Sequence, residues 1–452
     1  MKQATRLSLL GLALSITALG FAQEAKPMSD FAIVGARIEI GDGRVIENGT
    51  VVVRGGKIAE VTTSNKTPAG IEVVSASGKT LYPGFLDGYS TRNLALPTEG
   101  DLTVGAPDTV TRAPATMWQG NRKGVTPEYD ASEILNFDND DSAHKAGIAA
   151  SFLVPGRGSI RGLGAVVNLL PKDAGERVVE PRVAMGMSFR GAAGGGPGGG
   201  GGGGGGGYPG NILGIIALMR QKLADAQYYA LYPEAEPIEA QTPKWLLGAR
   251  ALRPVVNGLT PVVFAADLDR EIYRAFRLAD EFKFRLILSG GRDAYLHLDE
   301  IKRRNVPILL GLGIPSEPNT QPDKDDVPPG DAIPVEFRKE RHATWSEQIQ
   351  NAKKLFEGGV TVAFSSDGDT MGGFLNNVRR VIQSGVPRTE ALKALTVNPA
   401  SILRVSDRLG SIEVGKMANL TLMSGDFADA KTMVEMVWVA GSKVYEAKEE
   451  GR

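Results

Sequence analysis

Residues 31 to 80 alternate apolar and polar positions and turn often: FAIVGARIEI, then GDG, then ENGTVVVRGGKIAEVTTS. Val/Ile-rich runs broken by Asp-Gly, Asn-Gly and Gly-Gly predict strands joined as hairpins. The stretch ANLTLMSGD…VEMVWVAGSKVYE (418 to 446) has the same character. Two β-type ends around a different middle predict one small composite β-sandwich domain, built from residues 28–80 plus 406–449.

The middle, residues 81–405, follows another rhythm. GIAASFLVPG, TPVVFAADL, FRLILSGG, VPILLGL and VTVAFSSD are apolar runs of strand length, and VAMGMSF is a further candidate. Amphipathic stretches of helical period lie between several of them: REIYRAFRLADEF, DAYLHLDEIKRRN and EQIQNAKKLFEGG. Repeated β then α predicts an α/β fold of parallel strands with crossover helices. Its length favours a distorted (β/α)8 barrel, whose chemistry sits at the C-terminal ends of the strands. Residues 191–210 include ten consecutive glycines at 198–207 and offer nothing to pack, so they are expected as a flexible loop within the barrel. The loop is a surface expansion or a lid; no Lys-Ser/Thr follows it, which argues against phosphate binding.

The first 22 residues pair a basic start, MKQATR, with a short apolar core and small residues before Ala22. They read as a secretory signal cleaved after Ala22, placing the protein in a bacterial periplasm or outside the cell. The alternative is a retained anchor. With 51 basic against 52 acidic residues, the net charge of −1 supports neither nucleic acid nor a membrane surface beyond the signal as partner. The chain has no cysteine, which excludes disulfides, thiolate metal sites and Cys nucleophiles.

Histidines number three: His144, His297 and His342. They lie in helical stretches, where solvated or capping roles are expected. LYPGFLDGYST (81–91) delivers Asp87, Tyr89 and Thr91 on one face of a strand, because successive side chains alternate. Asp367 ends VAFSSD, where it is expected to cap the next turn or to pair with a cation such as Arg292. The acidic stretches FDNDDS (137–142) and PDKDDVPPGD (322–331) lack the Gly and bidentate Glu of a calcium loop. Solvated loops, or a helix N-terminus in the first case, are expected there. Ser90, Ser289, Ser365 and Ser366 have no histidine base beside them in sequence and no nucleophile elbow.

Three stretches together resemble the amidohydrolase superfamily, in particular its imidazolonepropionase-like branch. They are KTLYPGFLDGYS, VAFSSDGD and GVPRTEALKALTVNPASILRVSDRLGSIEVGKMANLTL (385–422). The last carries Thr396, Asn398, Pro399 and Ala400, then Gly410-Ser411-Ile412-Glu413 and Gly415-Lys416. The resemblance implies a distorted TIM barrel with a composite β domain. It also implies one or two divalent metals, usually zinc, that activate water against amide or other C–N bonds. It assigns metal-binding histidines to positions that here hold Tyr89, Thr91, Ala265 and Gly290, and a metal-binding, proton-shuttling aspartate to Asp367. Three histidines cannot fill four positions. The expectation is therefore a degenerate site with no cofactor, in which Asp87, Ser289 and Arg292 are further pocket candidates. Such a protein would bind a small-molecule ligand without catalysis, or serve as partner subunit in a hetero- or homo-oligomer with an intact relative. The alternative is an active hydrolase with an unusual mononuclear, oxygen-rich site using Asp87 and Asp367.

Overall fold

The computed structural model describes residues 30–64, 69–96, 124–190, 211–231, 244–313, 316–321, 333–367 and 371–448. The expected signal segment, the polyglycine stretch and the acidic stretch 322–331 lie outside the described residues.

The β-rich pattern of both chain ends folds as one sheet. Its N-terminal strands are β1 (Phe31–Glu39), β2 (Val45–Arg54), β3 (Lys57–Thr62), β4 (Glu72–Ser75) and β5 (Thr80–Pro83). The chain returns to it with β14 (Leu420–Met423), β15 (Val434–Val439) and β16 (Ser442–Glu446). The order is β16-β15-β14-β5-β1-β2-β3, with β4 also paired to β1. A separate apolar core holds it together, including Phe31, Ile33, Ile38, Val51, Ile58, Leu420 and Trp438.

The second sheet is the barrel. It comprises β6 (Phe85–Ser90), β7 (Ile148–Leu153), β8 (Ile160–Asn168), β9 (Val178–Ser188), β10 (Val262–Ala266), β11 (Leu286–Gly290), β12 (Ile308–Gly311) and β13 (Val362–Ser365), paired in chain order. The helices flanking these strands include α1 (Asp141–Lys145), α2 (Ile212–Ala230), α3 (Lys244–Val256), α4 (Asp269–Phe282) and α5 (Leu298–Arg304). Beyond them come α6 (Val335–Ile349), α7 (Asn351–Glu357), α8 (Met371–Gln383), α9 (Arg388–Leu395) and α10 (Val397–Ile402).

Alternation along the strands sorts the two faces. Val262, Phe264, Leu286, Leu288, Ile308, Leu310, Val362 and Phe364 join the core that meets the helices, where Ile272, Phe276 and Leu355 pack. Val263, Ile287, Leu309 and Ala363 join a different cluster with Leu86 and Phe152, inside the barrel. The next inward layer, by the period of two, is Ala265, Ser289, Gly311 and Ser365.

The uniform β then α rhythm fails at one place. β8 runs antiparallel to both β7 and β9, whereas the other neighbours in this sheet are parallel. The connections, residues 154–159 and 169–177, are too short for a crossover helix, so the chain can only turn back as hairpins. One consequence reaches the site: the first residues of β8, not its last, lie at the catalytic end of the barrel.

The barrel closes where β13 meets β6. Gly88 is required here, because a Cβ at this position would lie 2.8 Å from the Phe364 carbonyl oxygen. Beside it, fully buried Asp87 ties the two strands together. Oδ1 accepts the backbone N–H of Ser366 (2.8 Å) and of Tyr89 (3.3 Å); Oδ2 accepts the hydroxyls of Ser366 (2.6 Å) and Ser151 (3.3 Å). The closing motif joins barrel to β domain. Asn398 donates to Val362 O (2.8 Å), the Thr396 hydroxyl lies 3.2 Å from Gly41 O, and Lys416 donates to Ser411 (2.6 Å). Bonds from Ser411, Lys416 and Arg44 hold the Glu413 carboxyl down to about 2.

Burial pushes the Asp87 carboxyl up to about 6 from its ordinary value of 3.8, against the pull of its hydrogen bonds, chiefly those from Ser366. Between those values the folded chain holds a proton that the unfolded chain releases, so stability falls as pH rises through this window. The expected loss is about 3 kcal/mol. Asp87→Asn keeps an acceptor for the two N–H groups and gives two donors to the hydroxyls. Denaturant titrations across pH should therefore show a flat profile for Asp87→Asn in this window, and a loss of about 2–4 kcal/mol for Asp87→Ala, which strands buried donors.

Candidate functional site

Tyr89 on β6 ends the same strand as Asp87, and Thr91 follows just past it. Ala265 lies on β10, with Asp267 one period beyond. Ser289 and Gly290 end β11, and Arg292 follows them. Asp367 follows β13 and stands close to Gly311, its Cβ 3.9 Å from where a side chain on that glycine would begin. Tyr89, Ala265, Gly290 and Asp367 thus gather at one end of the barrel, as their places at strand ends require.

Tyr89 is fully buried, and its hydroxyl accepts a 2.6 Å hydrogen bond from Nη1 of Arg161. Arg161 enters from the start of β8 and is itself buried; its Nε–H donates to Gly158 O (3.3 Å). Burial pushes the Tyr89 phenol up, Asp367 pushes the same way, and the guanidiniums of Arg161 and Arg190 oppose both. The phenol is therefore neutral at physiological pH, an acceptor for the arginine and not an anion.

A second carboxylate faces this group. Burial pushes Asp267 up, countered first by Arg292, whose backbone N–H also donates to it. Gly290 sits at φ +87°, and a Cβ there would lie 2.5 Å from Asp267 Oδ1. No larger side chain fits at Gly290 while Asp267 keeps its place. Ser289 is fully buried, and its hydroxyl has no partner among the described residues; the same holds for Nε of Arg292.

The histidines stand elsewhere. His144 corrects the expectation of a solvated or capping residue: it is buried, with Nε2 2.9 Å from Leu169 O, and burial pushes its pKa down. The short helix α1 turns into β7 and swings the imidazole beneath the strand that follows. The cap is Asp140, which accepts Ala143 N–H at 3.2 Å. His297 binds Asp269 (2.8 Å) and His342 binds Glu317 (2.9 Å). Among the described residues no group of three or more His, Cys, Asp or Glu could hold a metal ion. The serines form no nucleophile with a base: Ser366 serves Asp87, and Ser90 accepts Arg92 N–H at 3.3 Å.

Arg161, Arg190 and Asp267 went unnoticed in the sequence. Asp267 had a signal, since it shares a strand face with Ala265. Arg161 had none, because its position depends on β8 running backwards.

The Tyr89–Arg161 bond should be a stabilising unit. Tyr89→Phe is expected to cost about 2 kcal/mol, since it removes a partner from a buried cation. In a double-mutant cycle with Arg161→Met, the combined loss should fall well short of the sum; additive losses in denaturant titrations would contradict the pairing.

Residues 322–444 match the Amidohydrolase family profile. An imidazolonepropionase from Fusobacterium nucleatum subsp. nucleatum is 31% identical over 100 residues, 21% of this chain. The match spans only 23% of that relative's length. Among solved structures, an amidohydrolase from Thermotoga maritima MSB8 superposes with a TM-score of 0.68, at 23% identity, covering 92% of this chain and all of its own. A Xaa-Pro dipeptidase with bound methionine in its active site gives 0.54 at 16% identity, over 93% of this chain and 100% of that one. These two structures share the fold. Residues 322–444 are thus similar to the amidohydrolase family, a 100-residue stretch is similar to an imidazolonepropionase, and the chain as a whole shares the fold of the two solved structures.

Proposed function

We propose that this chain is a non-hydrolytic, ligand-binding member of its superfamily, acting outside the cytoplasm. One observation carries the reading: the 2.6 Å bond between Arg161 and the neutral hydroxyl of Tyr89. Tyr89 stands where the resemblance assigns the first metal-binding imidazole. A guanidinium seated on that position puts a fixed positive charge where a divalent cation would need donors. The remaining positions offer a hydroxyl (Thr91), a methyl (Ala265) and no side chain (Gly290). Neutral imidazoles and carboxylates are the groups that bind zinc; a phenol bonded to arginine is not among them. The residues present do not fit the family's metals.

Without such a metal, Asp367 has no water of lowered pKa to deprotonate. Its charge instead acts on Tyr89 and balances the arginines. The barrel retains a mouth lined with cations and small residues, which suits recognition of a small molecule. The leader-like residues 1–22 support export. An intact relative is a further partner for such a scaffold, as a catalytic subunit beside this one.

The protein purified from its native compartment is expected to hold no stoichiometric zinc, manganese or magnesium. It should not turn over N-acyl amino acids, dipeptides or cyclic amides. Stoichiometric metal that Asp367→Ala abolishes, together with turnover of one of these substrates, would overturn the reading in favour of an oxygen-rich hydrolytic site.

A further inference from the structure

Beside the barrel mouth, between the ends of β11 and β12 and helices α6, α7 and α8, lies a cavity of about 30 Å³. That is room for about two water molecules, and so for one halide ion, but too little for a hydrocarbon body or an oxyanion the size of sulfate. Most of the wall is apolar, with Leu310, Leu312, Ile349 and Val381 contributing, and Arg292 is the one charged side chain on it.

The polar groups at this cavity differ in what they have to spare. Gln348 donates its amide to Asp293 (2.9 Å). Asn351 donates to Gly291 O and accepts Tyr295 N–H, each at 2.9 Å, so both ends of its amide are engaged. Arg292 differs: its Nε is buried and has no hydrogen-bond partner among the described residues. The two carboxylates that neighbour it are committed elsewhere. Asp267 feels the charge of Arg292 but takes its backbone N–H. Asp293 accepts Gln348 and, at 3.2 Å, the backbone N–H of Asp269.

A guanidinium keeps its proton at any accessible pH, and a buried charged donor left without an acceptor is costly. Water answers this poorly, because it needs two to four polar partners and the wall is mostly hydrocarbon. A small anion needs only the donor and the charge. With no carboxylate on its lining, the cavity does not suit a cation. From the orphaned guanidinium N–H beside an ion-sized space, we infer that the cavity is a binding site for one halide-sized monovalent anion, chloride in ordinary solution, held by Arg292. Chloride and bromide fit this site; sulfate and phosphate are excluded by volume. The site does not use the positions of Tyr89, Thr91, Ala265 and Gly290, so it stands or falls separately from the non-hydrolytic reading.

The linewidth of chlorine-35 in nuclear magnetic resonance of the full-length protein in sodium chloride tests it, because ions exchanging on a protein site broaden the bulk signal. The parent should add a broadening that saturates in the millimolar range of chloride. Bromide should remove that broadening, and sodium sulfate at equal ionic strength should leave it. Arg292→Met should weaken chloride binding by about tenfold or more. Arg292→Lys, which keeps the charge without the guanidinium fork, should fall between. Arg220→Met, on the exposed face of α2, is the control and should behave as the parent does. Crystals of the parent soaked in bromide should show an anomalous peak beside Arg292. The inference fails if the folded parent adds no broadening, or if the broadening grows without saturating, which marks an adventitious ion only. It also fails if sulfate displaces chloride as bromide does, if folded Arg292→Met binds chloride as the parent does, or if bromide sits only elsewhere. Should Arg292→Met not fold, the competition between bromide and sulfate and the place of bromide in the parent decide it.

Discussion

A buried carboxylate closes this barrel. Asp87 receives four hydrogen bonds, two from backbone N–H groups and two from hydroxyls, and Ser366 supplies one of each. The partners come from β6, from β7 and from the residue after β13, so a single side chain pins the seam between the first and last strands of the sheet. The close approach at Gly88 leaves no room for a wider seam. Everything at the mouth depends on this closure, because Tyr89 and Asp367 face each other only when β6 and β13 are adjacent.

Charge at the mouth is balanced inside the protein. Arg161 bonds Tyr89, Arg190 and Arg292 lie near enough to influence Tyr89 or Asp267, and Asp367 answers from β13. A guanidinium cannot lose its proton in the accessible pH range, whereas a bound cation can dissociate.

The stretch from Thr396 to Lys416 has a structural explanation. Thr396 lies within 3.2 Å of Gly41 O across the junction of barrel and β domain, Asn398 ties α10 to β13, and Ser411, Glu413 and Lys416 bond one another.

Much of this was legible in the residues themselves. Val/Ile alternation marks the two β-rich ends, short apolar runs mark β7 and β10 to β13, and a count of three histidines by itself rules out four imidazole ligands. These features are local or compositional, so a linear reading captures them. The rest needed the tertiary structure. His144 is polar and lies in a charged stretch, yet the turn into β7 buries it. Arg161 lies 72 positions from Tyr89, and Ser366 lies 279 from Asp87. The first pairing exists only because short hairpins reverse β8 and bring its beginning to the mouth; the second exists only because the barrel closes. Sequence determined which groups were absent, while the direction of one strand and the closure of one seam decided which groups met.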